Sequence, residues 1–165
     1  MAVTTQKSAE YTIETATPLV KSNTVDKHGK LRTLYFTHDQ DGAGDANSTV
    51  TLGKLPAGKV KILGGLSRMY VNWVTSSQTM DIGWKAYTDL DGDAVALDVD
   101  GLVDGLDVDA VGYFDMESNI AAGKLKGGTY TFESNDGVEI TALAIAALVD
   151  GDDLCGYITT LLTNK

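Results

Sequence analysis

The chain has 165 residues, which fits one domain with its own core. Apolar residues make up 43% and charged residues 22%, a globular composition that excludes a largely disordered chain. The 13 basic and 23 acidic residues give a net charge of −10, so nucleic acid and anionic membrane surfaces, which would repel it, are not expected as partners.

No targeting signal is expected at the start of the chain. Residues 1–20 lack the basic-then-apolar order of a signal peptide, and no segment approaches the ~18 apolar residues of a membrane span, so we expect synthesis in the cytoplasm. Residues 1–24 are polar, with short apolar patches at Tyr11–Ile13 and Pro18–Val20. They predict an extended N-terminal arm that orders against a neighbouring subunit, followed by one domain over residues 25–165.

Short strand-like runs closed by Gly, Asp or Asn fill most of this domain. They lie at Leu31–Thr37, Ser48–Leu52, Lys59–Leu63, Arg68–Val74, Thr79–Tyr87, Thr129–Ser134, Val138–Leu148 and Leu154–Thr163. In Thr79–Tyr87, apolar residues alternate with polar ones and place Met80, Ile82, Trp84 and Ala86 on one buried face. Eight or so such strands predict an all-β, jelly-roll-like sandwich.

Three connections need separate interpretation. The turn Asn135-Asp136-Gly137 predicts a hairpin between the runs on either side of it. Residues 89–123 are acidic and predict a long connection, with short helical turns at Gly101–Leu106 and Val108–Phe114. Ala142–Leu148 has helix-forming composition, but a strand is preferred because no helix cap precedes it.

No catalytic residue or cofactor is predicted. His28 and His38 flank the first strand in polar turns, no Gly-x-Ser-x-Gly or phosphate-binding loop occurs, and the glycines do not open a helix. A pair of carboxylates could hydrolyse glycosides in an aromatic cleft, but Trp73 and Trp84 lie in strand patterns that favour the core. Cys155, the single cysteine, lies in an apolar run and is predicted to be a small buried core residue.

Calcium binding is the alternative that the acidic loops leave open. Asp89, Asp91 and Asp93 alternate in a turn, and Asp100 occupies the twelfth place of a loop begun at Asp89. The glycine is at the fourth place rather than the sixth, and no flanking helices are evident. A second turn, Asp39, Asp41 and Asp45, lacks downstream ligands. Solvated loops are preferred, and no metal site is predicted.

Part of the chain resembles a group of small structural proteins of tailed phages. The similar segments are Leu55–Leu63, Gly65–Arg68, Asp81–Asp89, Asp100–Val108 and Phe132–Val138. The resemblance implies a non-enzymatic virion protein, most like a head decoration or cement protein that binds the outer face of the major capsid shell as a trimer. A tail or connector role, and a calcium- or carbohydrate-binding β-sandwich module, are the alternatives.

Basic residues are unevenly placed along the chain. Eight of the thirteen lie between Lys21 and Arg68. One hypothesis is that the arm and the strands bearing Lys54, Lys59 and Lys61 face the capsid, while the acidic connection faces solvent or a neighbouring subunit. The alternative is that solvated faces differ in sign without any partner.

Overall fold

The computed structural model describes residues 30–73 and 78–162, and the arm expected at residues 1–24 lies outside them. The strands are β1 (Lys30–His38), β2 (Ser48–Leu55), β3 (Gly58–Leu63), β4 (Arg68–Asn72), β5 (Thr79–Trp84), β6 (Tyr87–Thr88), β7 (Ala94–Val95), β8 (Asp98–Asp107), β9 (Gly112–Asp115), β10 (Thr129–Ser134), β11 (Val138–Ala144) and β12 (Asp153–Leu162). Short 3₁₀ turns occur at Gly64–Leu66 and Lys124–Gly127.

Two antiparallel sheets form the body of the domain. In sheet A, β12 pairs with β1 along one side and with β4 and then β3 along the other, and β9 and β10 continue from β4 and β3. Sheet B has the order β2-β11-β5-β8. The strands β6 and β7 form a small separate hairpin.

The pairing is nested. The first main strand pairs with the last, β1 with β12, and then β2 pairs with β11, β3 with β10 and β5 with β8. A long hairpin rolled into two facing sheets gives this order, which is that of a jelly roll. The predicted all-β, jelly-roll-like sandwich is therefore confirmed.

The core is apolar and continuous between the sheets. Ile62 and Ile158 from sheet A, and Ile82 and Ile140 from sheet B, are completely buried members of one cluster. Alternation along each strand brings these residues to the inner side, which is the arrangement expected for packed sheets.

A polar junction fixes the place where β12 changes partner from β4 to β3. Ser67 Oγ donates to the Leu63 carbonyl at 2.6 Å and accepts from the Thr159 amide at 2.9 Å. Thr159 Oγ1 donates to the Leu66 carbonyl at 2.6 Å. Both side chains are buried, so these bonds replace the ones that water would otherwise make.

The predicted hairpin across Asn135-Asp136-Gly137 is wrong. The strand before this turn, β10, pairs with β3 in sheet A, whereas β11 pairs with β2 and β5 in sheet B. The turn is a corner between the sheets. At Gly137, φ is +84° and a β-carbon would come within 2.1 Å of the Leu55 carbonyl oxygen, so the end of β2 occupies the space beside the turn.

The helical turns predicted at Gly101–Leu106 and Val108–Phe114 are also wrong. The first segment belongs to β8, and the second leads into β9. Leu102, Val103 and Leu106 are all completely buried, which no simple two-residue alternation allows. The register of β8 against β5 shifts at two places, and these irregularities turn extra side chains inward and obscure the strand period.

The alternation predicted for Thr79–Tyr87 holds only as far as Trp84. Ala86 is exposed, because β5 ends before it. Asp81, expected on the open face, is 8% exposed, and its Oδ1 accepts from the Gly105 amide at 2.8 Å. For Ala142–Leu148, the preferred strand forms as far as Ala144.

Candidate functional site

The outer side of sheet A carries a group of exposed aromatic side chains. Tyr35 is 76% exposed and Tyr113 is 69% exposed. Tyr157 lies opposite Tyr35 in the strand register, and Tyr70 lies opposite Tyr113. Thus four of the seven tyrosines of the chain stand on neighbouring strands of one face.

Strand alternation places them there. Residues flanking these tyrosines, such as Phe36, Met69 and Ile158, point inward and are buried. The aromatic rings are therefore the outward members of a period-two pattern. We call Tyr35, Tyr70, Tyr113 and Tyr157, together with Arg68 and Cys155, the tyrosine face.

The rings form two pairs. The centroids of Tyr35 and Tyr157 are 6.0 Å apart with planes tilted by 59°, and those of Tyr70 and Tyr113 are 5.1 Å apart with a tilt of 57°. An open groove of about 330 Å³ runs between the pairs and has Cys155 in its lining. Such paired rings offer a broad apolar contact area and lose little side-chain entropy when they are covered.

Arg68 and Asp115 give the tyrosine face its charged border. The Arg68 guanidinium lies 5.1 Å from the centroid of the Tyr113 ring, and its Nε is 3.8 Å from Asp115 Oδ1. The positive and negative charges offset each other, so this border contributes no net charge. The face is suited to apolar contact more than to binding an ion.

The prediction for Cys155 needs correction. It is half-buried and points outward, between Thr37 of β1 and Tyr70 of β4 in the register, because Leu154 takes the neighbouring inward position. The sequence around Cys155 is apolar on both sides of the strand, because the outer side carries Tyr157. The pattern therefore does not show which side Cys155 faces.

The histidines and tryptophans do not build a catalytic site in the described part of the chain. His28 lies outside the described residues, and His38 Nε2 is 3.2 Å from Gln40 Oε1. Trp73 is 1% exposed and Trp84 is 4% exposed, which confirms the core prediction for both.

Trp84 belongs to an aromatic cluster at one end of the core. Its ring stacks on Tyr130 at a centroid distance of 5.6 Å, and Phe132 packs edge-on at 5.3 Å. Its Nε1 donates to the Ala96 carbonyl at 3.2 Å. With its faces packed and its only donor satisfied, Trp84 lines no open substrate cleft.

Two carboxyl groups lie close together on β8. Burial is the main cause of a raised pKa at Asp98, and a hydrogen bond and charge repulsion from Asp100 add to it. Burial also raises the pKa of Asp81, despite the lowering effect of its bond from the Gly105 amide. The local packing of Asp81 and Asp98 accounts for the raised pKa of each. Neither carboxyl group lies beside one of the candidate nucleophiles named above.

The acidic loop at Asp89 is the tip of the β6–β7 hairpin. Asp89 Oδ1 accepts from the amides of Asp91 and Asp93, at 3.0 and 2.8 Å. This is an Asx-type turn, in which the carboxylate satisfies its own backbone. Asp100 lies away from this tip, in β8. No cluster of three or more His, Cys, Asp or Glu side chains within residues 30–73 and 78–162 has a geometry that could hold a metal ion.

The hypothesis of a capsid-facing basic surface concerns three lysines, and these lie on different sheets. Lys54 is in β2 of sheet B, opposite Glu139, whereas Lys59 and Lys61 are in β3 of sheet A. Lys59 forms an ion pair with Glu133 on β10. The strands that carry the three lysines therefore belong to both sheets, and the hypothesis that they face the capsid stays a prediction.

In the described ranges, no helix is long and apolar enough to cross a membrane.

Sequence reasoning missed the tyrosine face. The signal was present, since Thr33, Tyr35 and Thr37 alternate with Leu34 and Phe36, which puts an aromatic ring on the polar side of a strand. What the sequence could not supply was the pairing of β1, β12, β4 and β9 that collects the rings.

No protein-family model and no curated protein matches the chain. Among solved structures, it is similar to the VP2 subviral particle of infectious bursal disease virus, with a TM-score of 0.44 and 12% identity over 82% of this chain and 33% of that one. It is also similar to the Gx strain of that virus, with a TM-score of 0.42 and 13% identity over 81% of this chain and 32% of that one. The chain spans about a third of the length of these structures, and a likeness this loose carries no argument about function. The jelly-roll assignment depends on the strand order.

Proposed function

We propose that this chain is a virion structural protein that decorates a capsid, docking its tyrosine face on the outer surface of the shell. The observation that carries the proposal is the exposure of Tyr35 and Tyr113 at the two sides of one sheet face, with Tyr70 and Tyr157 between them. Tyrosines with exposed rings are enriched at protein interfaces, where the ring is buried and the hydroxyl keeps a polar partner.

The fold is compatible with this role. Jelly rolls occur in viral capsid domains and in lectins, and one fold serves many functions. The resemblance of residues 55–140 to small tailed-phage structural proteins favours a role in a virion over a role as a lectin. Binding, without bond making or breaking, would then be the whole activity.

Charge favours a different protein over a second copy as the partner at the tyrosine face. The chain carries a net charge of −10, so two copies brought face to face repel each other. The Arg68–Asp115 border is neutral and apolar contact is available beside it. The major capsid protein is the partner we propose at this face, and trimers of this chain would form through other surfaces of the domain.

A decoration protein stabilises a shell through the area that it buries. A ligand that binds the expanded shell and not its dissociated subunits lowers the free energy of the assembled state by mass action. The tyrosine face spans four strands, or roughly 15–19 Å at the usual strand spacing. It provides the centre of a standard interface, and the surrounding loops would complete the contact.

The test is occupancy on capsids that lack the protein. Purified full-length wild type and a Tyr35→Ser/Tyr113→Ser double variant are added to such capsids, and bound copies are counted by quantitative mass spectrometry. We expect the double variant to lose at least about tenfold in affinity, because two interface aromatics are removed. Both substitutions are at exposed positions, so the melting temperature should stay close to that of wild type.

Leu97→Ser is the matched control. Leu97 is 62% exposed but lies outside sheet A, so its loss should leave occupancy unchanged. Equal occupancy of wild type and the double variant would contradict docking through the tyrosine face. Absence of wild-type binding to capsids would contradict the decoration role itself.

A carbohydrate-binding role is a second candidate, supported by the same exposed tyrosines on a jelly roll. It differs from the first in its partner: a glycan panel would give saturable binding that the double variant loses. No binding to the panel, together with binding to capsids, would exclude it.

A further inference from the structure

We propose that Arg68 makes the tyrosine face selective for a partner surface that presents a carboxylate beside an apolar side chain. The inference rests on the proposed function, because it describes what the docked capsid protein offers to this face. Three observations carry it: the place of Arg68 in the groove, the orientation of its guanidinium, and the charge of the other residues that line the groove.

Arg68 lies where the two tyrosine pairs approach each other. In the strand register it stands opposite Tyr157 on one side and opposite Asp115 on the other. Tyr70 and Tyr113 occupy the next outward row, two residues away along their strands, or roughly 7 Å. Arg68 is part of the groove lining, so a segment of a partner that fills the groove contacts it.

The groove itself carries a positive charge. Among the described residues that line it, Arg68 is the one charged side chain, and the others are four tyrosines, Phe36, Thr37, Cys155 and Gly156. Asp115, which neutralises Arg68 in the border as a whole, is not part of the lining. The complementary group on a partner is therefore an anion, and the surrounding rings favour an apolar side chain next to it.

Two contacts hold the guanidinium of Arg68 and leave its terminal amino groups for a partner. Its Cζ lies 5.1 Å from the centroid of the Tyr113 ring. Its closest approach to Asp115 is through Nε, at 3.8 Å, so the terminal amino groups lie further away from that carboxylate. The side chain is 53% exposed, and its planar fork can bind an incoming carboxylate through two parallel hydrogen bonds.

Docking makes a carboxylate at Arg68 necessary for tight binding. When a partner covers the rings of Tyr113 and Tyr157, it also removes water from the guanidinium between them. A charge that is covered without a partner destabilises a complex strongly, whereas a paired and hydrogen-bonded charge does not. Asp115 lies outside the groove lining, where water can still solvate it. The groove therefore selects an acidic group more strongly than the border selects a basic one.

Occupancy on capsids that lack the protein tests this with full-length chains, by comparing Arg68→Gln with Arg32→Gln. Both variants remove one exposed positive charge, but Arg32 has the strand parity of the buried Phe36 and lies outside the groove lining. We expect about tenfold weaker binding for Arg68→Gln, the loss of a hydrogen bond to a charged group, and no change for Arg32→Gln. Equal effects of the two variants would overturn the inference.

Asp115→Asn separates the partner's carboxylate from the ion pair within the chain. It removes the same internal pair as Arg68→Gln but leaves the guanidinium in place. We expect occupancy at least equal to that of wild type, because Arg68 is then shared with no internal carboxylate. A loss equal to that of Arg68→Gln would mean that Arg68 acts only by holding Asp115, and the selectivity would be disproved.

Salt gives an independent readout. Raising sodium chloride from about 50 to about 500 mM should weaken wild-type binding several-fold more than that of Arg68→Gln, since salt screens the ion pair. The same salt dependence for both would also overturn the inference. If the Tyr35→Ser/Tyr113→Ser variant loses occupancy and Arg68→Gln keeps it, docking through the tyrosine face stands and the selectivity fails. Wild type that does not bind capsids contradicts the docking itself.

Discussion

Gly83 on β5 lies so close to β8 that a β-carbon at this position would come within 1.9 Å of the Asp98 carbonyl oxygen. The register between the two strands shifts at this point, and the backbone of β8 at Asp98 and Val99 occupies the space beside the glycine. Gly83→Ala should therefore cost about 2–3 kcal/mol in free energy of unfolding, because β8 must move. Urea unfolding measures it.

Gly127→Ala is the control for this substitution. Gly127 is exposed, and a β-carbon there would meet no atom within 4 Å. It should change the stability by less than about 0.5 kcal/mol. Equal effects at the two glycines would show that the contact between β5 and β8 is not as close as described.

Ser67 provides a second stability prediction. Ser67→Ala leaves the buried Thr159 amide without its acceptor and removes the bond to the Leu63 carbonyl. We expect a loss of about 1–3 kcal/mol by denaturant unfolding, since an unsatisfied buried amide is costly. Ser118→Ala, at an exposed position, should be nearly neutral, and a similar loss there would remove the explanation.

The Asp89 turn predicts insensitivity to calcium. Since the Asp89 carboxylate is already bonded to two amides, adding calcium and then a chelator should leave the melting temperature unchanged. Asp89→Ala should cost about 0.5–1.5 kcal/mol, whereas Asp89→Asn keeps the acceptor and should cost less. A saturable rise in melting temperature that a chelator reverses would mean that this loop binds calcium.

Asp98 predicts a specific dependence of stability on pH. Its pKa is raised by burial and by Asp100, so the folded protein holds this proton more tightly than the unfolded chain does. Its contribution to stability is thus largest at low pH and falls as the pH rises from roughly 3.9, the unfolded value, through the raised folded-state pKa.

Asp98→Asn removes this dependence, because the amide is never charged. The variant should be more stable than wild type at pH 7, and the difference should shrink as the pH falls to 4. Urea midpoints at the two pH values measure it, with Asp91→Asn, at an exposed position, as the control. A difference that is constant with pH would contradict the assigned cause.

Local patterns predicted the strands well where one side of a strand is polar and the other apolar. Thr129–Ser134 was predicted with its observed bounds, and the runs at β1, β3 and β12 were predicted within a residue or two. The period of two is clearest in β3, where buried and half-buried residues alternate along the whole strand. In β8, the register shifts bury neighbouring side chains such as Leu102 and Val103, so the period of two is lost and the composition resembles helical turns.

Partner choice could not be predicted from the same patterns. The turn at Asn135-Asp136-Gly137 determines that the chain reverses, but the pairing depends on which distant strand offers the better edge. Here β10 pairs with β3 in sheet A, and β11 pairs with β2 in sheet B. The tyrosine face depends on the same long-range pairing, so its members were visible singly and not as a group.

The central claim is tested most directly by electron cryomicroscopy of purified virions, with mass spectrometry of the same particles. Our account predicts this chain on the outer surface of the head, with Tyr35 and Tyr113 buried against the capsid protein. A particle that lacks the chain, or density in which the tyrosine face points to solvent, would contradict it.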